Sequence, residues 1–430
     1  MTHEETPIGY SDLVRGNANF RLVWFSQLIS LLGDWFNLIA ATSLIAILTQ
    51  SGTALGGLLV LYMLGPFLVS PVSGVVIDRY NRKYVIIAAN IAQALTVLGF
   101  LWVRDASQIW ILYVLTAIQQ ILSGFLLPTQ DAMLPEIVSP REIGTANTLI
   151  NASWSVMLTI GAALGGLVAS TLGIYWAFTI DALTFFAAAI LMGWIAYTPT
   201  SKTEAEDNSI SAALQEYVDG LRYLKNHIDI LFIALHNAAN ALIISVGIMA
   251  MQVSISQQVF IIGTDGGLSL GLMFGATGIG TGIGPFLARR LTGDRDRPLR
   301  WAITAGYGIS CLGLLMVAPL AGFWMVLLGF VVRGIGGGLV TVLPKQLLMQ
   351  LTPNYVRGRI FSTEYALFSM FGAMGGAATG RALDSGLGLS GVITMAAVLI
   401  LIPGLLWTVW IGWVQTTQSV TDDASLETQP

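Results

Sequence analysis

Four ionisable side chains, Asp34, Asp181, Arg333 and Glu364, stand inside or at the edge of long apolar runs. Such groups are costly to bury in a membrane and are by default functional. Asp34 lies roughly 21 Å into its run at about 1.5 Å per residue, a depth suited to a carboxylate that carries a proton or binds a cation. Arg333 sits near the middle of another run and offers a fixed charge to a substrate. The competing reading is that Asp34 and Arg333 pair with each other for structure. Polar side chains that a solute could meet are Asn37, Gln119, Gln120, His236, Asn237 and Asn240. His236 and Asn240 are four apart and share one helix face. A histidine there can bind substrate or relay protons; equally, it can hydrogen-bond a neighbouring helix. Glu364 is expected to offset a helix N-terminal dipole, and Asp131 and Glu136 to meet nearby arginines.

Other chemistries lack their parts. The three histidines are not at metal-ligand spacing, and no H-E-x-x-H, G-x-S-x-G or Walker A pattern occurs. The sequence therefore predicts no enzyme, no metal, no cofactor and no ATP-driven pump within this chain. A net charge of −4 argues against a nucleic-acid partner. The one cysteine, Cys311, excludes an intrachain disulfide and reads as a small core residue.

The elements that must position these groups are membrane helices. Hydrophobic residues make up 55% of the 430 and charged residues only 10%, with a mean hydropathy of +0.73. The apolar runs are about twice the roughly 10 residues of a barrel strand and do not alternate. In lipid they must pair their backbone internally, as helices. Twelve spans are expected: 20–48, 54–77, 84–103, 108–128, 146–170, 174–197, 228–255, 266–288, 299–319, 322–344, 359–383 and 387–413. Residues 1–19 are polar and the first run is too long for a signal h-region, so no cleavable signal is expected. Polar tails, 1–14 and 414–430, are expected to be mobile.

With both termini in the cytoplasm, 17 of the 20 Lys and Arg fall inside, Arg104 and Arg381 outside, and Arg333 mid-helix. That bias fixes the expected orientation. Trp24, Trp102, Trp110, Trp176, Trp194, Trp301, Trp324 and Trp410 fall near span ends, as an interfacial belt would. The expected organisation is a six-helix half at 1–197, a cytoplasmic linker at 198–227, a second half at 228–413 and a tail at 414–430. In the linker, Ile210, Leu214, Tyr217, Leu221 and Leu224 form one apolar stripe, predicting an amphipathic helix on the membrane surface. The halves share a faint repeat: Leu134–Asn147 parallels Leu347–Ile360, and Gly161, Gly165 and Gly166 parallel Gly372, Gly375 and Gly376. Glycines recur every four residues at Gly267, Gly271 and Gly275 and at Gly372, Gly376 and Gly380, which predicts close helix packing.

The most specific motif is Gly74-Val-Val-Ile-Asp78-Arg79-Tyr-Asn-Arg82-Lys83. It resembles the inner-loop signature of the major facilitator superfamily, as do the twelve spans, the 6+6 repeat and the long central loop. The resemblance implies an all-α membrane protein with the major facilitator fold, a monomer in a prokaryotic inner membrane. Gly74 would permit close helix approach. Asp78 would accept from the start of the eleventh span near Arg357 to Phe361, a latch that breaks on rocking. The simpler alternative makes Arg79, Arg82 and Lys83 a topogenic charge cluster. The second half has Ala288 where the acid would stand, so the latch is expected on one side. Asn19-Phe20-Arg21-Leu22, Trp24, Gln27, Ser30, Gly33-Asp34 and Ser51-Gly52-Thr53-Ala54 look like the enterobactin-exporter and macrolide-efflux branch, which implies proton-driven export. The fifth span, with Gly161-x-x-x-Gly165-Gly166, lacks the proline of the antiporter motif. In the family fold, spans one, four, seven and ten line the cavity, which implies that Asp34 and Arg333 face it. The sixth span is peripheral there, so Asp181 is expected to be structural.

The expected function is proton-coupled efflux of a hydrophobic or amphipathic small molecule by alternating access. An importer or facilitator of a lipid precursor or organic acid fits the same fold. A non-transporting receptor or scaffold would instead tolerate changes at Asp34 and Arg333.

Overall fold

The computed structural model describes residues 8–197, 215, 218, 222–292, 296–352 and 354–412. Twelve long helices cross it, with short caps between them. A short helix of about two turns, α1 (Tyr10–Gly16), precedes the first span, α2 (Ala18–Thr49). Asn17 starts α2 by accepting from Phe20 N at 2.9 Å, and Gln50 ends it in the left-handed region at φ 48°. Ser51 caps α3 (Gly52–Arg79), and Asn81 caps α4 (Arg82–Gly99). These two-residue turns force α2, α3 and α4 to run antiparallel. The first half closes with α5 (Ile109–Ile137), α6 (Ile143–Thr171) and α7 (Ile174–Gly193).

The second half opens with α8 (Ile228–Asn240), a π-helical segment (Ala241–Ser245) and α9 (Gly247–Gln258), which together make the seventh span. Then follow α10 (Gly267–Thr292), α11 (Asp296–Val317), α12 (Phe323–Leu351), α13 (Asn354–Asp384) and α14 (Gly388–Leu399), the last continued by helix at 401–412. Eleven spans among the described residues are apolar enough to cross a bilayer by composition. The twelfth is α13, whose charged ends dilute its hydropathy; its 31 residues still give it the length. The protein is thus an all-α, multi-pass membrane protein.

Two large cores form, the first of which also takes in Val246 and Phe274 from the second half. Trp35, Phe36, Phe100, Phe178 and Phe185 pack in the first, and Tyr307, Phe330 and Trp407 in the second. The seam between halves is built from the glycine stripes. Gly56 lies so close to α13 that a Cβ would meet Gly376 O at 2.8 Å, and one on Gly271 would meet Ala162 O of α6 at 2.9 Å. Gly52 against Gly380 and Gly166 against Gly267 continue both contacts toward the end of the bundle opposite the termini. Near the other end, Gly144 of α6 and Gly282 of α10 have no such neighbour.

Three details differ from the sequence reading. Part of the N-terminal tail is packed: Leu13 is buried, and Thr145 Oγ1 donates to Ile8 O at 2.9 Å. The seventh span is broken by the π segment, where one extra residue per turn shifts the register of its faces. Trp410 is buried against Phe232 and the Arg300 guanidinium, while Trp102, Trp110, Trp176, Trp194 and Trp324 are exposed as a belt requires. The linker stripe falls mostly outside the described residues; 222–226 is helical, with Leu224 in the second core.

Candidate functional site

Asp34 and Asn37 are one turn apart on α2, so they share a face. Gly33 beside them lets α7 come close: a Cβ there would strike Thr184 and Asp181 and stand 3.2 Å from the Asp181 Cα. That approach sets the Asp181 carboxylate beside Asp34. From α3, Tyr62 OH donates to Asn37 Oδ1 at 3.3 Å. Asp181 and Asn37 are both fully buried, and neither Asp181 oxygen nor Asn37 Nδ2 makes a hydrogen bond. Asp34 is only partly covered. The three helices thus enclose two acids, an amide, a phenol and the Thr184 hydroxyl. Asp34 makes no ion pair with Arg333 among the described residues.

The other cavity candidates do not join this cluster. Gln119 is buried on α5 with its Oε1 unpartnered, and Gln120 packs on Gly65 of α3. His236 faces into the second half, where Tyr307 OH lies 3.1 Å from Nε2 and the Trp407 ring stands 4.4 Å away. Asn237 faces α13 and donates its amide to Glu364; because α13 starts at Asn354, Glu364 lies well beyond the first turn, too deep to offset the N-terminal dipole as expected, and holds this amide instead. Asn240 is buried on the same helix. Arg333 is buried on α12, its Nε without a partner and its guanidinium lying over Gly337.

At the basic end, Arg82 and Lys83 have specific partners. Arg82 Nη1 reaches Glu136 Oε1 at 2.8 Å and donates to Ala132 O at 3.0 Å. The Tyr197 hydroxyl donates to the same carboxylate. Burial, then that hydrogen bond, push the Tyr197 phenol up to about 12. Lys83 Nζ donates to Gly193 O at 2.8 Å and Ile195 O at 2.7 Å, capping the end of α7. Arg79 is exposed in the last turn of α3. Gly74 and Asp78 lie on α3, but the Asp78 side chain and those of 353–359 fall outside the described residues, and the expected latch with them.

The opposite end carries a contact of the same chemistry that the motif did not announce. Asp384, at the end of α13, accepts from Gly52 N at 2.7 Å, Thr53 N at 2.8 Å and Ser51 Oγ at 3.0 Å. Partial burial works against its ionisation, but these bonds outweigh it and hold the carboxyl below the usual range. A cavity of about 470 Å³ beside it is lined by Gln50, Ser254, Gln257, Asp265 and Asp384. In sequence, the signal for this contact was an acid closing one span and an S-G-T opening another. For Asp181 the signal was an acid in an apolar run, and Gly33 was the cue to its neighbour.

The family model described as Major Facilitator Superfamily matches residues 23–363. An MFS-type transporter of Bacillus subtilis, YfiS, whose description calls it uncharacterized, is 28% identical over 92% of this chain and 93% of its own. Multidrug resistance protein MdtG of Proteus mirabilis is 27% identical over 69% of this chain and 71% of its own. The putative bacilysin exporter BacE of Bacillus subtilis is 22% identical over 81% and 84%. Among solved structures, that of the nucleoside transporter NupG superposes with a TM-score of 0.70 at 14% identity, covering 91% of this chain and 98% of that one.

Proposed function

Because the chain belongs to the major facilitator superfamily, we propose that it exports a hydrophobic or amphipathic small molecule in exchange for protons, by alternating access. The observation that carries this reading is the membrane-buried carboxylate Asp34, which no ion pair with Arg333 neutralises. A carboxylate held among polar neighbours in α2, partly open on one side, can take a proton from one face and release it to the other. Export as the direction draws support from the printed names of MdtG and BacE. The likeness of the α2 motifs to the enterobactin-exporter and macrolide-efflux branch belongs to the same proposal.

In this reading the basic end and both termini are cytoplasmic, in a bacterial inner membrane, and the end bearing Asp384 is outer. Glycine contacts and the Asp384 cap then hold the two halves together at the outer end. Arg333, Asn237, Asn240, Gln119, Gln120 and Asn37 then serve as polar contacts for substrate on the cavity side. His236, held by Tyr307 and Trp407, stiffens the second half. Gly74, Asp78 and Arg79 supply the inner latch that replaces the outer one after rocking. The test is retention of cationic dyes and macrolides in cells. Cells with wild type should accumulate less of at least one compound than cells with equally expressed Asp34→Asn. Equal accumulation of every compound would remove Asp34 from the coupling path.

A further inference from the structure

The acid beside Asp34 makes no close hydrogen bond through its carboxylate, although the Asn37 and Thr184 side chains lie near it. Asp181 is fully buried in α7, and both its oxygens lack a hydrogen bond. An acid kept for structure would be expected to cap a helix or accept from a donor. The Thr184 hydroxyl does not serve it, because that proton goes to the Asp181 backbone carbonyl at 2.7 Å. Asn37, also fully buried, turns its amide toward Asp181, and its Nδ2 has no other partner. Tyr62 donates to Asn37 and so fixes that amide rather than the acids. The titratable groups facing the two carboxylates, from α2, α3 and α7, are each other and Tyr62. Among the described residues no cationic side chain faces them. The walls are therefore rich in acceptors: four carboxylate oxygens, the Asn37 carbonyl and the Thr184 hydroxyl oxygen.

Two bare carboxylates side by side in a low-dielectric interior are disfavoured by desolvation and by mutual repulsion. A positive charge between them offsets both. We propose that Asp34 and Asp181 together hold one exchangeable monovalent cation, a proton or Na⁺, with Asn37, Tyr62 and Thr184 as the wall of the site. This rests on the transporter reading and adds a second coupling residue to it, on a span that the family fold makes peripheral. Asp34, partly exposed, is the entrance; Asp181, behind it, is the closed side. When a bound substrate draws the Asp34 side chain away from Asp181, the shared charge loses one of its two acids and leaves. The cation that enters is the cation released, so charge balances without any further group.

The test needs no knowledge of the substrate. The full chain, reconstituted in lipid, is titrated while the infrared C=O stretch of protonated carboxyl groups is followed. Spectra of Asp181→Asn and Asp34→Asn, subtracted from wild type, isolate the pair. Acids that share a charge titrate as a unit, in two steps separated by more than about one pH unit. Each single variant should therefore leave one step, displaced from both wild-type steps. Because the coupling is reciprocal, either variant suffices if the other fails to fold. A band and midpoint for Asp34 that are unchanged in Asp181→Asn, and the reverse, would overturn the pair. Replacing choline chloride by NaCl at fixed pH separates the sources: loss of the band means Na⁺ takes the site, persistence means a proton holds it. Dye-driven proton flux in the same vesicles keeps the two readings distinguishable. Coupled titration without flux for any dye leaves the pair standing and removes the export reading. Flux that needs Asp34 but is untouched by Asp181→Asn, with uncoupled titration, does the opposite.

Discussion

Gly33 shows how one missing side chain sets the geometry of a site. Any Cβ at that position must displace α7, together with Asp181 and Thr184. Gly33→Ala should therefore lower the thermal midpoint of the purified protein, by the roughly 1–3 kcal/mol that overpacking costs. Gly16→Ala, a position with open space around it, is the control and should leave the midpoint in place. Asp34 was legible in the sequence because an acid in an apolar run stands out without any knowledge of contacts. Its neighbour was not, since Asp34 and Asp181 are brought together only when the first and sixth spans pack. The same limit applies to His236. Helical spacing placed it on one face with Asn240, but only the packing of α11 and 401–412 decides that its ring meets Tyr307 and Trp407.

At the scale of elements, charges at helix ends explain more than topology. The positive-inside rule accounts for the presence of Arg82 and Lys83 but not for their partners. Lys83 holds two carbonyls at the end of α7, a contact in the favourable sense for the helix dipole. Lys83→Ala should cost about 0.3–1 kcal/mol, read as earlier unfolding in denaturant, and Lys83→Arg should recover much of it. Asp384 is the converse case, an acid on the N-terminal amides of α3. Its removal as Asp384→Ala should weaken outer closure by about 1 kcal/mol, a roughly fivefold change in population. In a Cys311→Ser background, Ser254→Cys in the outer cavity should then label faster with a maleimide; an unchanged rate would deny the cap a gating role. The sign of its pH dependence follows from the ionised form being the one bound. The contribution is complete above the ordinary aspartate range near ~3.9 and is lost as pH falls through the depressed value. Closure should thus hardly vary between about pH 5 and 8 on account of this group.

For the molecule as a whole, the membrane helices and the close packing along the glycine stripes could be anticipated from periodicity and composition. Gly267, Gly271 and Gly275 recur every four residues because α10 must lie on α6, and Gly372, Gly376 and Gly380 because α13 must lie on α3. What periodicity could not give was which end of the seam is held together. That depends on contacts such as Asp384 with Gly52, more than 300 residues apart in the chain. If the joined outer end belongs to one of two alternating states, wedging it open should stop transport without unfolding the protein. Gly271→Val is predicted to do so, with normal expression and gel-filtration profile but loss of dye export.

The central claim, coupling of a solute to protons through Asp34, is tested most directly by proton flux in liposomes under an imposed pH gradient. Siderophores, macrolides and cationic dyes would be added in turn to vesicles with wild type or Asp34→Asn. The account predicts that at least one compound collapses the gradient with wild type and leaves it standing with Asp34→Asn. A labelled compound that crosses with no proton movement in either protein would contradict it and make the chain a facilitator or a carrier coupled to another ion.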